Sequence, residues 1–251
     1  LAQDEIIASR FKDLGARKIA VTGTLKFAAK PLPADAVPLA QLKNQVGDRP
    51  CWLAASVHPG EASAVAQTHL DLCATRPNLL TLVVPRHPAR APEFASAMKE
   101  AGLTATLRSV HEAPKGDVYI ANTLGELGLF YRLAPVCFVG GSLVPHGGQN
   151  LLEAAQLDCA VVHGPYVHNF EAMATEMEAA GGSIQITDTV GLTRAIQMLL
   201  DNPAQRTQMT TSARQIADDK HAVLDLTVAS LAPVLEWLTA PTADASGRAH
   251  T

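Results

Sequence analysis

The sequence predicts an α/β fold built on a doubly wound parallel sheet, and three observations predict it. From about residue 50 onward, short apolar runs alternate with amphipathic stretches of helical length. The runs are continuously apolar rather than alternating, as in strands covered on both faces. Several of them end in Gly, Pro, Ser or His, at the edge where such sheets bind ligands. Composition agrees. With 47% hydrophobic and 18% charged residues, the 251-residue chain can build a large core and disorder is disfavoured.

In order, residues 51–56 (CWLAAS) form the first buried-strand candidate, followed by a helix over about 60–75. Residues 79–85 (LLTLVVP) and a helix over about 92–101 come next, then shorter strands at 105–109 and 118–121. A helix over about 123–133 leads into strand 136–139 (VCFV), and another covers about 150–157. Strand 160–163, helix 169–180, strand 183–186 and helix 190–200 complete the alternation. Upstream, 4–14 reads as a helix and 19–22 as a short strand, while Pro31, Pro33 and Pro38 mark a linker. Downstream, 203–220 and 223–238 are two helical patterns, and 241–251 is a small, polar tail expected to be disordered.

Several function classes are disfavoured at once. The net charge is −4 and no Lys/Arg block occurs, which argues against nucleic-acid binding. Cys51, Cys73, Cys137 and Cys159 are scattered without a CxxC pattern and read as small buried hydrophobes. The nine histidines form no ligand motif, so no metal site is expected, and no cofactor is implied. Neither GxGxxG nor GxxxxGK[ST] appears, and no Ser-His-Asp order or GxSxG elbow supports hydrolysis. No apolar run is long enough to span a bilayer. The chain opens abruptly at Leu1 without methionine, which suggests a piece of a longer protein whose removed part carries any anchor.

Four turns carry the chemistry. Residues 138–153 (FVGGSLVPHGGQNLLE) run from a strand through two glycine pairs to a helix start at Asn150, with Glu153 three residues on. Glycines let backbone approach a ligand, and a capped helix N-terminus suits a phosphate. Residues 55–61 (ASVHPGE) place Ser56 and His58 at a strand end, while Glu61 in the following first turn complements the helix dipole. Residues 83–88 (VVPRHP) put Arg86 directly after the most apolar strand, where a guanidinium suits a phosphate or carboxylate. Residues 121–128 (ANTLGELG) give a fourth glycine-bearing turn. From the residues alone, the reading is an α/β domain that binds an anionic, nucleotide-linked ligand.

These motifs, taken in order, resemble those of bacterial Kdo transferases. These are inverting GT-B glycosyltransferases that add 3-deoxy-D-manno-octulosonic acid (Kdo) from CMP-Kdo to a lipid A precursor. The matching runs are VTGTLKF (21–27), AASVHPGE (54–61), LVVPRHP (82–88), NTLGELGLFY (122–131), FVGGSLVPHGGQNLLE (138–153), HGPYVHNF (163–170) and AAGGSI (179–184). The resemblance extends from about residue 1 to 238 and implies the C-terminal, Rossmann-like donor domain of a GT-B enzyme. It implies that 1–45 is the end of an N-terminal acceptor domain plus linker, and that 46–240 binds CMP-Kdo. Pro85 and Arg86 would then contact CMP, and Leu124, Gly125 and Glu126 would line the nucleotide site. Asn150, Leu151, Leu152 and Glu153 would hold phosphate and ribose, with Glu153 accepting from ribose hydroxyls. Lys26, Ser56, His58, Gly141 and Ser142 are the candidates facing the sugar. The resemblance further implies metal-independent transfer at the cytoplasmic face of the inner membrane, with the catalytic base, lipid acceptor site and membrane attachment in the N-terminal domain. Leu151 and Gln149 stand where many relatives have Pro and His, and Pro59 stands where an acidic residue is common. A GT-B enzyme using a UDP-sugar and a noncatalytic nucleotide-binding module are the rival readings.

Overall fold

The computed structural model describes residues 1–25 and 30–239, so Lys26 and the 241–251 tail lie outside the described residues. The chain divides into two compact units, one of residues 31–217 and one that joins 1–30 with 218–251. In the smaller unit, α1 (Glu5–Asp13) is capped by the Asp4 carboxylate, which accepts from the Ile7 N–H at 2.7 Å. Residues 19–22, expected as a strand, make only an isolated bridge between Ala2 and Val21.

The larger unit carries seven parallel strands: β1 (Cys51–Val57), β2 (Leu80–Pro85), β3 (Ala105–Leu107), β4 (Val118–Ile120), β5 (Val136–Val139), β6 (Ala160–His163) and β7 (Ser183–Gln185). All seven strands predicted from residue 51 onward form, with ends within two residues of expectation. They lie in the order β3-β4-β2-β1-β5-β6-β7. Every residue of β1, β2, β4, β5 and β6 is buried, which is why these runs lack a polar face. Trp52, Val83, Phe138 and Val162 share a core with Phe94 of α4 (Ala91–Glu100) and with Leu192 and Ile196 of α8 (Thr189–Asp201). Between them α3 (Ala62–Cys73) packs on both helices. On the opposite face the Tyr119 ring meets Phe130 of α5 (Leu127–Tyr131), centroids 6.4 Å apart. Farther along the sheet, α6 (Leu152–Ala155) packs on β6 and α7 (Glu171–Ala179) on β7.

Four helical expectations need correction. Residues 36–46, read as linker, form α2 (Ala36–Val46), because Pro38 falls in its first turn, where no N–H is needed. The helix predicted over 123–133 shrinks to the five residues of α5, since Gly125 takes φ +80 and delays the start. The one predicted over 150–157 shrinks to the four residues of α6, followed by Asp158 at φ +56. The two C-terminal patterns fuse into one helix, α9 (Pro203–Thr239), which continues through Pro233. Among the described residues, no helix is long and apolar enough to cross a membrane.

β1 pairs with β2 on one side and β5 on the other. The chain thus leaves the sheet centre in opposite directions, and the crevice outside the ends of β1 and β5 is the ligand position for such sheets.

Candidate functional site

At this switch point β1 ends in a bulge. Its register with β2 slips between Ala55 and Val57, and Ser56 sits at φ 53, a conformation few non-glycine residues adopt. The chain then turns through His58 into α3. Glu61, fully buried, accepts four backbone N–H groups: His58 at 2.9 Å, Gly141 at 2.8 Å, Ser142 at 3.0 Å and Leu143 at 3.0 Å. One carboxylate therefore staples the loop after β1 to the loop after β5. This is a larger role than complementing a helix dipole.

The glycine pair makes that staple reachable. A Cβ on Gly140 would lie 2.5 Å from Val57 Cα and 2.8 Å from Glu61 Oε2. Ser142, a sugar-side candidate, is fully buried. Its hydroxyl donates to Val139 O at 2.5 Å and accepts from Gly164 N at 2.8 Å. With donor and acceptor engaged, the Ser142 side chain ties β5 to the end of β6 and does not face a ligand. Gly141, at φ +67, donates its N–H to Glu61 and accepts from Gly148 N at 2.8 Å. It too shapes the loop.

A group of basic side chains stands over the crevice. The His58 ring stacks on His146 (centroids 4.0 Å, 18° between planes) and meets His87 edge-on at 6.2 Å. Burial first, then the charges of His146, His87, Arg86 and Arg90, push the His58 imidazole down to about 4. His58 Nε2 is buried and has no hydrogen-bond partner. Arg86 is exposed, and its backbone N–H donates to Val57 O at 2.9 Å, fixing the end of β2 against the bulge. Among the described residues no carboxylate forms an ion pair with Arg86, whereas Arg90 pairs with Glu93.

The nucleotide-side candidates occupy neighbouring strand ends. Pro85 closes β2 and is buried. Asn150 Oδ1 accepts from Leu152 N at 3.1 Å, and the Leu151 and Leu152 side chains are in the core, leaving only their backbone to a ligand. Because α6 has four residues, it brings no substantial helix dipole to a phosphate, and what this turn offers is backbone N–H groups. Burial raises the Glu153 carboxyl, while a hydrogen bond from Asn150 and the charge of Arg86 oppose the shift. Beyond β4, Leu124 is 84% exposed and Gly125 has open space around its Cα. The Glu126 carboxylate is not free. Arg108 holds it through two bonds of 2.7 and 3.1 Å and pulls its pKa down, and the Thr123 hydroxyl adds a third.

The four predicted turns thus lie on four adjoining strands, β4-β2-β1-β5, on one sheet edge. Lys26 lies outside the described residues. Sequence reasoning missed His87, His146 and Arg108, and it underrated Glu61. Only a PHGG tetrapeptide at 145–148 and a His after Arg86 hinted at the first two.

No family model matches the chain. The 3-deoxy-D-manno-octulosonic acid transferase of Haemophilus influenzae is 33% identical over 243 residues, which cover 94% of this chain and 56% of that protein. The transferase of the same name from Bordetella pertussis is 37% identical over 228 residues, 85% of this chain and 51% of that one. The chain spans about half the length of these curated relatives. Among solved structures, the C-terminal CMP-Kdo binding domain of WaaA from Acinetobacter baumannii matches with a TM-score of 0.68 and 29% identity. That match covers 77% of this chain and 98% of the domain. With the seven-stranded parallel sheet and the ordered motifs at its edge, these likenesses identify the chain as a member of the 3-deoxy-D-manno-octulosonic acid transferase family, corresponding to the C-terminal, GT-B-type part of its members.

Proposed function

We propose that this chain binds CMP-Kdo as the donor half of an enzyme that transfers Kdo to a lipid A precursor in lipopolysaccharide synthesis. The observation that carries this reading is the gathering of four motif-bearing turns around one switch point, in a chain similar to nearly the whole of a CMP-Kdo binding domain. Arg86, in no ion pair among the described residues and acting on Glu153 through its charge, is the cation for the phosphate that leaves with CMP. Glu153, with Asn150, accepts from the ribose hydroxyls, and the backbone at Leu124 and Gly125 lines the base. Ser56 and His58 face the sugar.

Among the described residues, the carboxylates at this edge have other work than that of a general base, Glu153 being assigned to the ribose. Glu61 is saturated by four N–H groups, and Glu126 is held by Arg108. The base, the lipid acceptor site and attachment to the cytoplasmic face of the inner membrane belong to the remaining half of the enzyme. The isolated chain therefore binds the donor without transferring sugar, and turnover of a lipid acceptor by the purified chain would overturn that division of labour. Titration calorimetry with CMP, UMP and UDP tests the nucleotide. CMP should bind tightest, and Arg86→Ala should weaken it by about tenfold or more, the loss of one charge-assisted bond of roughly 1.5–3 kcal/mol. Equal or tighter binding of UDP would favour a UDP-sugar enzyme instead.

A further inference from the structure

We infer that the stacked His58–His146 pair, flanked by His87 and Arg86, receives an oxyanion of the donor, takes up a proton as it fills, and holds the sugar's carboxylate. This inference rests on the donor-binding reading above. The stack joins two loops that the sequence separates by 88 residues, one following β1 and the other β5, the two strands that flank the switch point. Its unpartnered Nε2 on His58 is a buried polar atom left without the hydrogen bond such atoms normally have.

The charges around His58 come from every neighbouring loop. Arg86, His87 and Arg90 follow β2, His146 follows β5, and Glu61 begins the turn into α3. Of the nearby carboxylates, Glu61 has its oxygens filled by four backbone N–H groups, Glu93 pairs with Arg90, and Glu153 is drawn toward Asn150. The cluster is thus rich in cations and hydrogen-bond donors, and Glu153, which feels the charge of Arg86, forms no ion pair with it among the described residues. Two imidazoles stacked at 4.0 Å repel each other when both are charged. An arriving carboxylate reverses the balance, because it stabilises an imidazolium that burial and positive neighbours otherwise disfavour. The proton comes from solvent and ends on an imidazole nitrogen, and no other bond changes.

Calorimetry at pH 7 in two buffers of different ionisation enthalpy reads this directly. The probes are CMP, the methyl glycoside of Kdo and a non-hydrolysable CMP–Kdo analogue. The analogue should bind with uptake of about half to one proton, and its affinity relative to CMP should rise several-fold between pH 8 and pH 6. His146→Phe and His58→Phe, which keep a stacked ring, should each abolish the uptake while CMP still binds. Uptake with CMP but not with the glycoside would overturn the carboxylate assignment and move the site to the phosphate. Analogue binding without uptake, or uptake unchanged in both variants, would overturn this inference alone. Failure of CMP itself to bind would remove the donor reading and this one with it.

Discussion

Removing the Glu61 carboxylate would leave the buried N–H groups of Gly141 and Ser142 and the part-buried ones of His58 and Leu143 without their acceptor. Each orphaned buried donor costs roughly 1–3 kcal/mol, so Glu61→Ala should lower stability by at least about 3 kcal/mol. Urea denaturation checks this, and an unchanged midpoint would contradict the staple. Glu61→Gln should lose less, since its amide oxygen still accepts. From the sequence, Glu61 looked like an ordinary first-turn acid, because its partners at 141–143 are remote in the chain and only tertiary structure unites them. Arg86 was legible for the opposite reason. A charged residue directly after an apolar strand can only stand at the sheet's edge. Ser142 misled because a hydroxyl between glycines and a helix looks exposed, whereas Gly164 lets the β6 loop close over it, a Cβ there meeting Ser142 O at 2.2 Å.

At the scale of elements, the strands were the most legible, since burial on both faces writes itself as unbroken apolar sequence. The short helices were not. α5 and α6 lie in turns whose backbone is set by positive-φ glycines and by side-chain bonds such as Arg108–Glu126, and neither leaves a helical period. The close approach of the β5 loop to β1 gives a test. Gly140→Ala would drive a methyl into Val57 and Glu61, and should destabilise by about 1–3 kcal/mol while weakening CMP binding. Gly102→Ala is the control. Its φ is +77 but its Cβ would meet nothing within 4 Å, so about 1 kcal/mol of backbone strain is the whole cost and binding should be unaffected. Thermal melts of both variants, with CMP titrations beside them, separate steric conflict from strain. Equal loss of binding in the two would count against the loop contact.

For the whole molecule, buried histidines set the response to acid. Desolvation holds His69 and His163 below the ordinary imidazole range, and His58, more open to solvent and therefore weaker in effect, lies at about 4. In the window below about 6.5 the unfolded chain binds protons at these positions and the folded chain does not. Stability should therefore be complete above about pH 6.5 and fall as pH drops below it. The slope is up to about 1.4 kcal/mol per pH unit for each fully buried imidazole. Urea midpoints at pH 7.5, 6.5 and 5.5 would read the slope, and a flat profile would contradict it. The doubly wound sheet as a whole was legible because strand, helix and edge chemistry all repeat the same order along the chain. The division after residue 30, with α2 belonging to the sheet unit, was obscured by three prolines, one of which sits harmlessly in a helix's first turn. Under the proposed donor reading, the Glu61 staple also bears on how the nucleotide arrives and leaves. Two loops clasped to one buried carboxylate cannot open separately, so the crevice is already shaped before a nucleotide enters it. For the donor proposed above, association should then be governed by diffusion and electrostatic attraction rather than by loop ordering, and residence time by contacts broken rather than by a gate swinging open.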